Sequence, residues 1–176
     1  MELNLRIIPL ALLVSSCSKP LPSTRGDLVQ STSKHYHEGV KYSFPKGFDS
    51  RFLRDGAVRI FNSANPRERV EHRKPHLLKG EDVELRKQVE EGAKGMLALF
   101  AKSTRTPLDS PRWMTIGPNA FFAAHYRKDG DDVWLGLLKI QNRSMLLGVW
   151  QPAEPKSGAK LKKEMMEIIG AIKLRG

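Results

Sequence analysis

The sequence predicts an α+β domain in which an antiparallel sheet is flanked by two main helices. Two observations lead to this prediction. Two segments carry apolar residues at helical spacing, and four consecutive segments of strand character are separated by short turns, as in an antiparallel meander. The length of 176 residues suits one such domain with accessory segments, and the hydrophobic fraction of 40% excludes a wholly disordered chain.

The first 16 residues are typical of a secretory signal. A short polar start precedes an apolar run of eight residues, which is too short for a membrane span, since a spanning helix needs about 20 residues. Val14, Ser15 and Ser16 close the run and are followed by Cys17, the only cysteine of the chain. A single cysteine excludes an intramolecular disulfide framework.

The ending Val14-Ser15-Ser16-Cys17 resembles the lipobox of bacterial lipoproteins. The resemblance implies cleavage between Ser16 and Cys17, diacylglycerol on the Cys17 thiol and an acylated amino terminus. Several acyl chains anchor a protein firmly, because each buried CH₂ contributes about 0.8 kcal/mol. The residue after Cys17 is not aspartate, so the sorting rule of enteric bacteria favours the outer over the inner membrane, with the domain facing the periplasm. The rule differs between bacterial groups, and the alternative is that Ser18 and Lys19 signal retention in the inner membrane. The alternative is that Cys17 is an incidental thiol.

Residues 17–33 predict a flexible tether, because they are rich in Pro, Ser and Thr and lack periodicity. One α+β domain then occupies residues 34–176. The chain has 30 Lys and Arg against 19 Asp and Glu, a net charge of +11, which favours an acidic protein, an anionic lipid or a cell-wall polymer as partner. Nucleic acid is not expected as a partner, because an exported lipoprotein seldom meets it.

The first elements of the domain are predicted strands. His35 to His37 and Val40 to Phe44 flank a Glu-Gly turn and predict a tight strand pair, and Val58 to Phe61 predicts a further strand. The stretch from Arg67 to Lys79 is basic and interrupted by prolines. We expect it to contain at most one short strand, at about Arg69 to His72.

A long helix is predicted from Gly80 to about Lys102. Gly92 and Gly95 lower its intrinsic helix propensity by about 1 kcal/mol each, which favours close packing against a sheet. The core-facing side of this helix is predicted to consist of Val89, Gly92, Ala93, Met96, Leu97 and Phe100.

The antiparallel meander is predicted to follow this helix. Its strands are Arg112 to Ile116, Ala120 to Tyr126, Val133 to Ile140 and Met145 to Trp150, and each connection has turn chemistry. A final helix is then predicted, with Ser157 as its N-cap. Its apolar stripe is Leu161, Met165, Ile168, Ile169 and Ile172.

The segment Tyr42-Ser43-Phe44-Pro45-Lys46-Gly47-Phe48, the later Gly117-Pro118-Asn119-Ala120 before a strand and the terminal amphipathic helix resemble the PsbP, Mog1 and DcrB superfamily. The resemblance covers about Lys34 to Leu174. It implies an α/β/α sandwich around an antiparallel sheet, which serves as a binding or adaptor module without conserved catalytic machinery. DcrB-type members are envelope lipoproteins, which agrees with Cys17.

Catalytic and metal sites are not predicted, and neither is a cofactor. His72 and His76 have the spacing of half a zinc site, but a site needs three or four ligands and Pro75 breaks any helix between them. Among possible triads, His125 with Asp129 and Ser144 lacks a nucleophile elbow. No glycine-rich phosphate-binding motif occurs. Trp113, Trp134 and Trp150 are interpreted as core residues because each lies in a predicted strand.

The candidate partner surface is a basic patch in the 67–79 stretch, formed by Arg67, Arg69, Arg73, Lys74 and Lys79. The alternative is that these charges serve only solubility. Two functions are compatible with the sequence. One is a non-catalytic binding or adaptor module of the cell envelope, of DcrB type, and the other is an immunity lipoprotein that neutralises an antibacterial toxin delivered into the periplasm.

Overall fold

The structure is a computed structural model that describes residues 35–37, 39–103, 108–153 and 160–174. It contains a large and a small antiparallel sheet and two helices. The elements in chain order are β1 (His35–His37), β2 (Val40–Tyr42), β3 (Phe48–Phe52), β4 (Val58–Asn62), β5 (Arg69–His72), β6 (His76–Leu77), α1 (Asp82–Ser103), β7 (Asp109–Ile116), β8 (Asn119–Lys128), β9 (Asp131–Ile140), β10 (Arg143–Pro152), α2 (Lys163–Ala171) and β11 (Lys173–Leu174).

The large sheet has the strand order β3-β4-β5-β10-β9-β8-β7, and β6 pairs with the start of β10. The small sheet has the order β1-β2-β11. The predicted α+β class, the tight strand pair near the start of the domain and the four-stranded meander are therefore confirmed. Adjacent strands of the meander pair continuously from β8 to β10, which makes this part of the sheet its most regular region.

Side-chain alternation along β8 places the two helices on different sides of the strand. Phe121 and Ala123 belong to a core cluster that contains Met165, Ile168 and Ile169 of α2. The intervening residues Phe122 and Ala124 belong to clusters that contain residues of α1. We call the two sides of the large sheet the α2 side and the α1 side.

Helix α1 follows the sequence prediction closely. Val89, Ala93 and Leu97 are buried against the sheet, as the apolar spacing predicts. The close packing predicted for Gly92 and Gly95 is observed at only one of them. A Cβ on Gly92 would lie 3.3 Å from Cδ1 of Leu137, whereas a Cβ on Gly95 would meet nothing within 4 Å, so the prediction of close packing at Gly95 is wrong.

Helix α2 begins later than the predicted cap implies. Ser157 lies outside the described residues, and the N-cap residue of the helix is Lys162, which makes no side-chain capping bond. The buried Gln151 side chain holds this end from β10, since its Oε1 accepts the Lys162 N–H at 2.9 Å and its Nε2 donates to the Lys160 carbonyl at 2.8 Å. An amide from the sheet therefore replaces the missing cap.

Three strands, β3, β6 and β11, are not among those that the sequence predicts. The basic stretch from Arg67 to Lys79 also differs from its prediction. This stretch contains two strands, β5 and β6, where at most one was expected, and β5 lies inside the large sheet between β4 and β10. Strand β5 has only four residues, and two of them are Arg69 and Glu71. The sequence therefore does not show the apolar residues on both faces that are typical of a central strand.

The turn between β4 and β5 is linked to α2 by an ion pair. Glu68 accepts hydrogen bonds from Lys162 Nζ at 2.7 Å and from Asn62 Nδ2 at 2.9 Å. Burial alone would raise the pKa of the Glu68 carboxyl, but these hydrogen bonds outweigh burial and lower the pKa below its usual value. The folded state therefore binds this proton more weakly than the unfolded chain does.

We expect Glu68→Gln to destabilise the domain by about 1–2 kcal/mol at pH 7, because Lys162 loses its charged partner. A lowered carboxyl pKa contributes stability that is fully present above the unfolded pKa and is lost as the pH falls through the folded pKa. Urea denaturation at several pH values should therefore show the two proteins converging below about pH 4. Glu91→Gln, an exposed change on α1, is the control. A difference that stays constant down to pH 3 would contradict this interpretation.

Candidate functional site

The structure separates the residues of the predicted basic patch. Arg67 pairs with Asp131 at 2.6 Å, beside the turn that joins β8 to β9. Arg73 lies at the other end of β5 and pairs with Asp55 at 2.5 Å in the turn between β3 and β4. Lys74 and Lys79 are exposed, in the connections that lead to β6 and to α1. Of the five, Arg69 alone lies within a strand of the large sheet.

Arg69 belongs to a different cluster, formed across four strands on the α1 side of the sheet. Strand pairing sets Arg51 of β3 opposite Arg59 of β4, and Arg59 opposite Glu71 of β5. The next row places Phe61 opposite Arg69, and Arg69 opposite Trp150 of β10. Helix α1 packs along β8 and β9 on this side. We call this cluster the arginine face, and it consists of Arg51, Arg59, Phe61, Arg69, Glu71 and Trp150.

Glu71 is the centre of the arginine face. Its side chain is 6% exposed, and its Oε1 accepts hydrogen bonds from Arg59 Nε at 2.7 Å and from Arg69 Nε at 3.1 Å. Both guanidinium groups are held through Nε, and among the described residues no hydrogen bond engages their terminal Nη groups. One carboxylate thus orients two arginines and leaves their outer N–H groups for another acceptor.

The Trp150 ring packs against the Arg69 guanidinium group. A Cβ on Gly148 would lie 2.4 Å from Cη2 of the Trp150 indole, so the ring lies over the sheet where the glycine leaves space for it. The Arg69 guanidinium carbon lies 4.6 Å from the centre of that ring, and the Arg51 guanidinium carbon lies 5.3 Å from the centre of the Phe61 ring. The aromatic rings therefore restrict the orientation of two guanidinium groups.

Positive charge exceeds negative charge at this cluster. Arg51 is exposed and forms no ion pair with a described residue. Burial, and then repulsion by Arg59, lowers the pKa of Arg51, while attraction to Glu71 partly offsets this. Asp49 lies on the same side of β3 and adds a second carboxylate, whose Oδ1 accepts the Ser50 N–H at 2.7 Å. The arrangement can bind an anion between charged N–H groups.

The three residues His125, Asp129 and Ser144, which the sequence disfavours as a triad, are not brought together. His125 Nε2 lies 3.0 Å from Asp132 Oδ1, not near Asp129, which occupies the β8–β9 turn with a φ of 52°. Ser144 is on β10, in register with Lys139 of β9 and remote from this pair. Asp132 Oδ1 also accepts from Arg127, so the carboxylate is satisfied by two partners.

The tryptophans divide between the core and its margin. Trp134 is 3% exposed and stacks on His125, with the ring centres 4.7 Å apart. Trp113 and Trp150 are partly buried and pack against the clusters on the α1 side. The core interpretation is therefore confirmed for Trp134, and Trp150 belongs to the arginine face.

Other candidate sites concern metal binding and the membrane. Within the described ranges, no group of three or more His, Cys, Asp or Glu side chains is placed to hold a metal ion. None of the described helices has the length and apolar character needed to cross a membrane. Cys17, Ser16 and the rest of the lipobox lie outside the described residues.

Sequence reasoning missed Arg51, Arg59, Glu71 and Phe61. The signal for three of them is the spacing of the β-branched residues: Val58 and Ile60 alternate with Arg59 and Phe61, and Val70 separates Arg69 from Glu71. Each segment places every second residue on one side of the sheet. What the sequence does not contain is the pairing of β4 with β5, which brings these residues together.

Comparison with known proteins finds a structure with a similar fold and no matching family model. No protein-family model matches the sequence, and no curated protein matches it. A crystal structure from Bacteroides thetaiotaomicron VPI-5482 is similar, with a TM-score of 0.53 and 15% sequence identity. The match covers 82% of this chain and 48% of the other, so the chain spans about half the length of that protein. The likeness supports an α+β fold dominated by antiparallel sheet.

Proposed function

We propose that this chain is a lipid-anchored, non-catalytic binding module of the bacterial cell envelope, which holds an anionic partner on the arginine face. The convergence of Arg59 and Arg69 on the buried Glu71 is the observation that carries the proposal. Fixing two long side chains in advance reduces the entropy lost when a ligand binds, and this favours a binding site over a merely solvated surface.

The anchoring part of the proposal is supported by the sequence Val14-Ser15-Ser16-Cys17. We place the lipidated domain in the periplasm, attached to the outer membrane in preference to the inner membrane. We also propose the finer architecture, an α/β/α sandwich similar to the PsbP, Mog1 and DcrB superfamily. The packing of α1 and α2 on alternate sides of β8 supports this arrangement.

A binding role without catalysis agrees with the chemistry of the arginine face. A guanidinium group stays protonated at physiological pH, so it can orient an anion but cannot exchange a proton with it. Glu71, the carboxylate of the cluster, is buried between two arginines and is already used as their acceptor. This set of groups favours holding a ligand over transforming it.

Replacing Cys17 by alanine is expected to abolish metabolic labelling with a palmitate analogue and to release the protein from the membrane fraction, because the only thiol is lost. The measurement is in-gel fluorescence of the labelled full chain together with membrane fractionation. Ser18→Ala, one residue further on, is the matched control and should keep the label. Labelling that persists in the Cys17 variant would contradict the proposed anchor.

An immunity lipoprotein that occludes a periplasmic toxin is a second candidate, favoured by the Arg and Trp composition of the arginine face. These two residue types are enriched among the residues that dominate binding energy at protein interfaces. Affinity capture of the lipidated chain from its own cells, eluted with a salt gradient, separates the two functions. One stoichiometric secreted protein that survives high salt indicates an immunity protein. Envelope components that leave at modest salt indicate the binding module.

A further inference from the structure

We propose that the arginine face is a binding site for the phosphate monoester group of a soluble molecule, contacted by Arg51 together with the outer N–H groups of Arg59 and Arg69. This inference rests on the proposed binding role of the face and specifies its ligand. It is drawn from three properties of the cluster, namely its charge, its compactness and its position relative to the start of the domain.

The charge of the cluster attracts anions. Three arginines carry three positive charges on this side of the sheet, against the carboxylates of Glu71, which pairs with Arg59 and Arg69, and of Asp49 on the edge strand β3, so a net positive charge remains. A phosphate monoester carries between 1.5 and 2 negative charges at about pH 7, because its second pKa is about 6. A carboxylate or a phosphodiester carries a single negative charge and would be attracted less strongly to the three guanidinium groups.

The cluster is also compact. Arg59 Nε and Arg69 Nε both lie within 3.1 Å of the same Glu71 oxygen, so their guanidinium groups converge on one point. Arg51 lies opposite Arg59 in the adjacent strand, where paired side chains are about 5 Å apart. A tetrahedral group with three terminal oxygens can accept hydrogen bonds from several guanidinium groups at once. The carboxylates of an acidic peptide are distributed along its chain, so they would need basic residues that are distributed in the same way.

The position of the cluster favours a soluble ligand over a lipid headgroup. Val40 and Tyr42 of β2 share a core cluster with α2, so the small sheet lies on the α2 side. Strand β1, the first described strand after the proposed anchor, pairs with β2. The first described strands therefore lie on the α2 side, and the arginine face is on the other side of the large sheet.

The test uses the lipidated full chain in nanodiscs of phosphatidylcholine and isothermal titration calorimetry with two probes. Glycerol 3-phosphate is a phosphate monoester, and glycerophosphocholine is a phosphodiester. We expect the monoester to bind at pH 7.5 at least about tenfold more tightly than the diester, and to bind more weakly at pH 5, where it loses half of its charge. Arg51→Gln should weaken monoester binding at least about tenfold. Lys87→Gln, the same charge change on α1, should leave it within about twofold.

Each of the following results would overturn the inference. These are equal affinity for the two probes, equal affinity of the wild-type and Arg51→Gln chains for the monoester, and binding to vesicles of phosphatidic acid without binding to glycerol 3-phosphate. An acidic peptide that binds the face and is not displaced by the monoester would equally reject it. The proposed function fails separately, when Arg51→Gln captures the same cellular partners as the wild-type chain.

Discussion

Gly136→Ala is expected to destabilise the domain by about 3 kcal/mol or more, because β8 and β9 approach each other closely at this residue. A Cβ on Gly136 would lie 2.0 Å from the Phe122 carbonyl oxygen and 2.6 Å from the Ala123 Cα. Both are backbone atoms of the neighbouring strand, so the clash cannot be relieved by rotating a side chain. The two strands would have to separate in the most regular part of the sheet.

The measurement is urea or thermal denaturation followed by circular dichroism. Gly95→Ala is the matched control, since a Cβ there meets nothing within 4 Å and the residue lies in the middle of α1. The control should stabilise the domain by up to about 1 kcal/mol through helix propensity. A Gly136 variant with wild-type stability would show that the two strands are not as close as described.

Asn119→Ala is expected to cost about 2–4 kcal/mol, because it removes the link between β8 and the end of α2. The Asn119 side-chain amide is buried and donates to the Ile169 carbonyl at 2.8 Å and to the Ile172 carbonyl at 2.9 Å. Both carbonyls lie at the C-terminal end of the helix, where the Ile169 carbonyl also accepts the N–H of the C-cap residue Ile172 at 3.3 Å. Alanine would leave two buried acceptors without this partner.

Chemical denaturation measures this effect, with Asn142→Ala as control. Asn142 is exposed in the turn between β9 and β10, and its loss should change the free energy of unfolding by no more than about 0.5 kcal/mol. Equal stabilities of the two variants would mean that the Asn119 amide does not hold α2 on the sheet.

The elements that the sequence predicts well are long, rich in apolar residues and bounded by turn residues. Helix α1 and the strands β7 to β10 belong to this group, since each has eight residues or more. The strands that were missed are short or polar. Strand β11 has two residues, and its pairing with β2 depends on α2 returning the chain to the small sheet.

The arginine face was predicted only through Arg69. A basic stretch in a sequence groups residues by their position along the chain, whereas a sheet groups them by register across strands. Arg51 and Arg69 are separated by 18 positions and meet because β4 lies between β3 and β5. Arg67 and Arg73, by contrast, are near Arg69 in the chain but are drawn to Asp131 and Asp55 at opposite ends of β5.

The arginine face is proposed to hold the partner of this protein. Its most direct test is quantitative affinity capture from the cell envelope, in which the wild-type chain is compared with Arg51→Gln and with the control Lys87→Gln by mass spectrometry. We expect the partner captured by the wild-type and control chains to be depleted at least about tenfold with Arg51→Gln, since a charge-assisted contact is lost. Equal capture by all three chains would contradict it.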